Sequence, residues 1–189
     1  MDRAERTEKM KKAIVLLADG FEECEGLLTV DILRRAGVDV VTASITGRKQ
    51  VLSSHNVPVG ADILAEEADF DGADLLVLPG GMPGTKHLGE SALVREQCSR
   101  FAQDRLLAAI CAAPSVLASL GLLEGKKATV HPSFEEQMDG AERTGQGVTV
   151  DGNIITGQAL GAAIPFALVL TEILTGSETA DRISEAICW

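Results

Sequence analysis

Short apolar runs alternate with longer segments in which apolar residues recur every three or four positions, and this alternation fills most of the 189-residue chain. Residues 12–18 (KAIVLLA) predict a strand. Glu23–Arg35, with Leu27, Leu28, Val30, Ile32 and Leu33 set among polar residues, predict a helix that Gly37 stops. Residues 38–44 resume strand character and complete a strand–helix–strand unit, the building block of parallel sheets. Between 51 and 64, Ser53, Ser54, Pro58 and Gly60 interrupt the apolar residues, so only short peripheral strands fit there. Residues 74–78 (DLLVL) read as a strand buried on both faces, ending abruptly in Pro79-Gly80-Gly81. A helix over 91–103, a strand at Leu106–Ile110 (LLAAI) and a helix over 113–120 closed by Gly121 follow. Strands are predicted at 127–130 and 154–156, then a mostly apolar helix over 159–175 and a short helix over 177–187. The pattern is that of a doubly wound α/β sandwich, in which ligands sit at the carboxyl ends of the strands. Segments 20–25, 79–84, 111–114 and 131–133 each follow a predicted strand and should gather at one rim.

Composition narrows this picture. With 46% apolar residues and only 3% aromatics, the chain suits one compact domain whose core is Leu, Ile, Val and Ala. The net charge of -11 opposes nucleic acid as a partner, because neutralising phosphates requires clustered Lys and Arg. The apolar run at 13–18 is too short for a signal-peptide core, and the longest apolar stretch, 159–170, carries Pro165 and falls short of the ~20 residues that span a bilayer. No membrane association and a cytoplasmic location are the expectations. Cys24, Cys98, Cys111 and Cys188 form no CxxC pair and show no zinc-type spacing with histidine, so free thiols and no metal are expected.

At the end of LLAAI the backbone must reverse within a residue or two to start the next helix, and a side chain at that elbow projects toward the rim. Cys111 stands there. Unpaired N–H groups and the positive end of the following helix would lower the pKa of its thiol, although a cysteine in this place can also simply be packing. The Pro79-Gly80-Gly81 turn has no side chains over its amides, so an N–H there and that of Ala112 could form an oxyanion hole; glycine serves turning alone just as well. Glu22, Glu23 and Glu25 start the first helix, where the dipole favours negative charge. A carboxyl pointing instead into the rim would be held protonated by desolvation and could exchange a proton with substrate, but spacing does not choose among the three. His131 lies on the same rim, either as a proton carrier or as a hydrogen-bonded structural residue. His55 and His87 read as surface groups, and the other cysteines have no comparable setting.

Together, LADGFEECE (17–25), VDILRRAG (30–37), LVLPGG (76–81), AAICAAP (108–114), VHP (130–132) and ITGQALGAAIPFAL (155–168) resemble the ThiJ/PfpI superfamily, in its Parkinson disease protein 7 type, deglycase/glyoxalase III-like branch. The resemblance implies a flavodoxin-like three-layer α/β/α sandwich with a mostly parallel central sheet, one domain over 12–189 and a flexible N-terminal extension over 1–11. It matches Cys111 to the family's nucleophilic, oxidation-sensitive cysteine and Glu25 to its protonated carboxyl partner. Gly80, Gly81 and Ala112 fall on the backbone around the sulfur, and His131 on the histidine of this branch. A homodimer, with the first helix and neighbouring loops at the interface, is also implied. Three departures stand out. Ala112 occupies the place where peptidase-like members have His, which disfavours an intracellular peptidase. His55 and Gln158 stand where arginines line an anion site, and residues 158–161 replace a Gly-Pro-Gly turn.

The function expected on this basis is a cofactor-independent glyoxalase or deglycase acting on dicarbonyls such as methylglyoxal, or on glycated substrates, through a Cys111 thiolate. The alternative is an oxidative-stress sensor or chaperone that uses oxidation of the same cysteine. An amidase of the amidotransferase type shares the elbow but would need a His-x-Glu pair near the last strands, which the sequence lacks.

Overall fold

The computed structural model describes residues 10–189. In chain order its elements are β1 (Lys12–Leu17), α1 (Glu23–Arg35), β2 (Asp39–Ser44), β3 (Gln50–Leu52), β4 (Pro58–Gly60), β5 (Ile63–Leu64), β6 (Leu75–Leu78), α2 (Gly84–Glu90), α3 (Ala92–Asp104), β7 (Leu106–Ile110), α4 (Pro114–Ser119), β8 (Lys127–Ala128), β9 (Glu142–Arg143), β10 (Val148–Asp151), β11 (Ile154–Gly157), α5 (Ala163–Thr175) and α6 (Ser177–Ala186). The central sheet has seven strands in the order β10-β11-β7-β6-β1-β2-β5. All its pairings are parallel except that of β10 with β11.

Alternation along the strands divides the core in two. Ile14 and Leu16 of β1, Leu76 and Leu78 of β6, and Leu107 and Ala109 of β7 pack under Leu88, Phe101 and Leu117 of α2, α3 and α4. Ala13, Val15, Leu17, Leu75, Val77, Ala108 and Ile110 point the other way, against Val30 and Leu33 of α1 and Phe166 and Leu170 of α5. Both faces of each central strand are therefore buried, which is why these strands are apolar throughout. The result is the expected flavodoxin-like α/β/α sandwich. Among the described residues no helix is long and apolar enough to cross a membrane.

Several expectations need correction. Residues 127–130 do not add a central strand: only Lys127–Ala128 pairs, with β9 in a separate two-stranded sheet, and the Thr129 N–H donates to Thr156 Oγ1 instead of a ladder carbonyl (2.9 Å). The helix expected from 159 begins at Ala163, after a 3-10 turn at Leu160–Ala162. Helix α2 and strand β10 are additions that the apolar pattern does not predict. Of the extension expected at 1–11, residues 1–9 lie outside the described residues, while Lys11 already belongs to the fold, its carbonyl accepting the Asp39 N–H (2.8 Å).

Candidate active site

The four predicted rim segments do meet. The Glu22 N–H donates to Gly80 O (2.8 Å), the Gly84 N–H to Gly20 O (3.1 Å) and the His131 N–H to Cys111 O (2.9 Å). Cys111 sits at the elbow with φ +65°, a left-handed conformation that costs a side-chain-bearing residue ~1–3 kcal/mol. Its backbone is held from both sides, the N–H by Gly157 O (2.9 Å) and the carbonyl by His131. Pro114 then opens α4, where a missing N–H costs nothing. The half-buried thiol faces the N–H groups of Ala112 and Gly81, both of which stabilise its ionised form. Gly80 is required by space: a Cβ there would lie 2.6 Å from both Cys111 Cβ and Glu25 Oε2. Gly81 has φ +92°, and a Cβ would meet the Glu22 backbone nitrogen at 2.3 Å.

The structure separates the three carboxylates that spacing left together. Glu22 is the N-cap of α1, its Oε2 accepting the Glu25 N–H (2.6 Å). Glu23 turns outward to His55 (Oε1 to Nδ1, 2.9 Å). Glu25 turns inward and is only 1% exposed, with Oε2 accepting the Gly80 N–H (3.0 Å) and Oε1 buried without a hydrogen bond of its own. Burial pushes its carboxyl up to about 7; hydrogen bonding with Cys111 and Gly80 opposes the rise and the charge of Glu22 adds to it.

The lowered thiol pKa expected from the helix end is not what the site produces. Burial, and then the charge and hydrogen bonding of an ionised Glu25, push the Cys111 thiol up to about 12, against the smaller help of the Ala112 and Gly81 N–H groups. The two side chains titrate as a pair. They hold two protons in acid and one from about 7 upward. In the one-proton form the proton sits either on sulfur, beside a carboxylate, or on Glu25, beside a thiolate. The second arrangement reverses both contributions of Glu25, because a neutral carboxyl donates to sulfur instead of repelling it.

His131 is brought to the site through its backbone, while its Nδ1 accepts the Ser133 N–H (3.2 Å) and its ring meets Phe134 edge to face. Gln158 is bound to the 145–147 loop, its N–H donating to Gly147 O (2.8 Å). Cys24 is exposed on α1, Cys188 is exposed at the C-terminus, and Cys98 is buried in the core. Among the described residues, Glu22, Glu23 and His55 bring metal-competent atoms within 4.8 Å of one another. Their donors are already engaged, Glu23 with His55 and Glu22 with the Glu25 N–H. Gly157, which anchors the Cys111 N–H, is a site residue the sequence reading missed. Its signal was a glycine ending the IITG strand, and a Cβ there would lie 2.8 Å from Ile110 Cγ1.

Known proteins resemble this chain over most of its length. Protein dj-1beta of Drosophila melanogaster is 39% identical over 180 residues, 94% of this chain and 96% of its own length. Its crystal structure superimposes with a TM-score of 0.92 over 95% of this chain and 98% of that one, at 37% identity. The Parkinson disease protein 7 homolog of Danio rerio is 37% identical over 178 residues, 92% of this chain and 94% of its own. A deglycase of Thermococcus kodakarensis is 33% identical over 153 residues, 79% of this chain and 91% of its own. The DJ-1/PfpI family profile matches residues 11–173, and the chain belongs to the DJ-1/PfpI family.

Proposed function

We propose that this chain converts dicarbonyls such as methylglyoxal to hydroxy acids through Cys111, with removal of early dicarbonyl adducts from proteins as a related activity. The observation that carries this reading is the pairing of a buried carboxyl at Glu25 with a half-buried thiol that faces two backbone N–H groups. The family includes a relative named as a deglycase, which supports the same class of chemistry.

In the reacting form the proton of the pair rests on Glu25 and the sulfur is a thiolate. Sulfur adds to the aldehyde carbon, and the resulting oxyanion is held by the N–H groups of Gly81 and Ala112. Glu25 gives its proton to that oxygen, which leaves a neutral hemithioacetal and a carboxylate. The carboxylate then takes the C1 hydrogen as a proton and returns it to C2 through an enediolate, while the hydroxyl proton passes from the C1 oxygen to the C2 oxygen, giving a thioester. Water cleaves the thioester, releasing lactate and restoring one proton to the pair. Methylglyoxal and water sum to lactic acid, so no oxidant, metal or organic cofactor enters. Positioning is the main contribution of the fold: the Gly80-Gly81 turn fixes the carboxyl and one N–H donor, and the elbow held by Gly157 and His131 fixes the sulfur and the other.

The same reading makes the chain a homodimer. Leu27 on α1, Leu52 and Val57 on the β3–β4 hairpin and Leu160 before α5 leave large apolar side chains exposed.

The test is lactate formation from methylglyoxal by purified protein, with Cys111→Ser reduced to the blank; full turnover by that variant would sink the proposal. Selective dioxidation of Cys111 by mild peroxide, without aldehyde turnover, would instead favour redox sensing through the same pair.

A further inference from the structure

Glu22 stands just outside α1, yet it joins the two elements that hold the Glu25 carboxyl. Its backbone N–H donates to Gly80 O (2.8 Å), its Oε2 accepts the Glu25 N–H (2.6 Å), and the Gly80 N–H donates to Glu25 Oε2 (3.0 Å). Glu22, Glu25 and Gly80 thus close a ring of three hydrogen bonds. The Glu22 carbonyl also accepts the Gly26 N–H (3.1 Å), which opens the helix that carries Glu25. An N-cap needs only a hydrogen-bond acceptor, and the short side chains Ser, Thr, Asp and Asn usually supply it. A glutamate in this place adds a negative charge beside a buried carboxyl. That charge pushes the Glu25 carboxyl up, whereas the charge that pushes up the Cys111 thiol is that of Glu25 itself. The two one-proton forms of the pair are therefore not equivalent. A carboxylate at Glu25 is repelled by Glu22, while a thiolate at Cys111 faces the N–H groups of Ala112 and Gly81. Two further titratable groups stand within 4.8 Å of the Glu22 carboxylate: Glu23 on α1 and His55 on the β3–β4 loop, which pair with each other (2.9 Å). The thiol of Cys24 on α1 also feels the Glu22 charge.

We propose that Glu22 is a positioning residue of the carboxyl–thiol pair: its hydrogen-bond ring fixes the Glu25 carboxyl on the Gly80-Gly81 turn, and its negative charge directs the shared proton to Glu25, leaving sulfur as the anion. The step is a single proton transfer. The Cys111 S–H bond breaks, an O–H bond forms on Glu25, and the charge of the pair is unchanged. The role rests on the proposed dicarbonyl chemistry only in that this thiolate is the form that reacts there.

The probe is iodoacetamide, with the rate of Cys111 alkylation measured from about pH 5 to about pH 9 on wild type, Glu22→Gln, Glu22→Asp and Glu22→Ala. Mass analysis of the Cys111 peptide keeps Cys24 and the other thiols out of the reading. Glu22→Gln preserves an acceptor of the same length and removes only the charge. Its plateau rate above about pH 7 should fall about threefold to tenfold, and the midpoint of its profile should move to lower pH, because Glu25 then gives up its proton more readily. Glu22→Asp, which keeps both charge and cap, should stay within about twofold of wild type. For methylglyoxal, kcat/KM of Glu22→Gln should fall in the same proportion as its alkylation rate. Glu22→Gln alkylated like wild type, with only Glu22→Ala impaired, would reduce Glu22 to a helix cap and overturn the proposal. Equal losses in Glu22→Gln and Glu22→Asp would overturn it too, since charge would then make no difference. The predicted alkylation profiles from a protein that makes no lactate would uphold the role of Glu22 and remove the dicarbonyl reading alone.

Discussion

Glu25 gives the site a pH dependence with a definite sign. Its carboxyl is pushed from an ordinary 4.5 up to about 7 in the fold, chiefly by burial, so between those values the folded chain holds a proton that the unfolded chain has lost. Stability from this group is fully present below about 4.5 and falls as pH rises through about 7. The loss amounts to about 3 kcal/mol once the pair reaches its one-proton form. Glu25→Gln removes this proton. Denaturant melts should therefore show the variant gaining on wild type between pH 5 and pH 8, and a constant difference across that range would contradict the assignment. The residue is more legible in the sequence than spacing within Glu22, Glu23 and Glu25 allows. Glu25 is in phase with Thr29, Ile32 and Leu33, the buried stripe of α1, and Glu23 is not; Glu22 shares the phase and is set apart only by standing outside the helix as its N-cap. The elbow position of Cys111 is readable from the sequence, but the raised pKa of its thiol is not, because it comes first from burial and then from the charge of Glu25, 86 positions upstream on another element.

At the level of elements, the Gly80-Gly81 turn is the part on which the site depends most. It links β6 to α1 through the Glu22 N–H, meets the carboxyl of Glu25 and faces Cys111. Gly80→Ala places a methyl 2.6 Å from Cys111 Cβ and Glu25 Oε2 and 2.9 Å from Ile110 O, of which the first and last cannot move without shifting β7. Overpacking of this kind costs ~1–3 kcal/mol, so the variant should melt measurably earlier in a thermal denaturation scan. An unchanged melt would show that the turn has slack the distances deny. Elements that escape the sequence have physical reasons to do so. In GTKHLGE two glycines and a single large apolar residue, Leu88, leave α2 with no readable period. Strand β10 is four residues long, yet Gly152-Asn153 between it and β11 is a two-residue hairpin loop, and that signal was available. Residues 127–130 look like a strand because side-chain pattern does not reveal that Thr129 bonds a side chain instead of a neighbouring strand.

For the whole molecule, strand–helix alternation was enough to predict the doubly wound sheet, the collection of four loops at one rim and the place of Cys111 among them. The carboxyl–thiol coupling needed coordinates, since it depends on contact between distant segments, whereas the antiparallel edge is a local hairpin. Association of two copies belongs to this scale as well. If the exposed Leu27 of α1 lies in the proposed dimer interface, sedimentation should give twice the 19.9 kDa chain mass for wild type and a monomer for Leu27→Glu. A monomeric wild type would remove the dimer from the account without touching the site. The proposed chemistry rests on the carboxyl and the thiol acting together on one substrate. The direct test is the progress curve of lactate formation from methylglyoxal for wild type, Cys111→Ala and Glu25→Gln. Steady production by wild type alone, with both variants at the uncatalysed rate, is the predicted result; Glu25→Gln turning over methylglyoxal at the wild-type rate would contradict it.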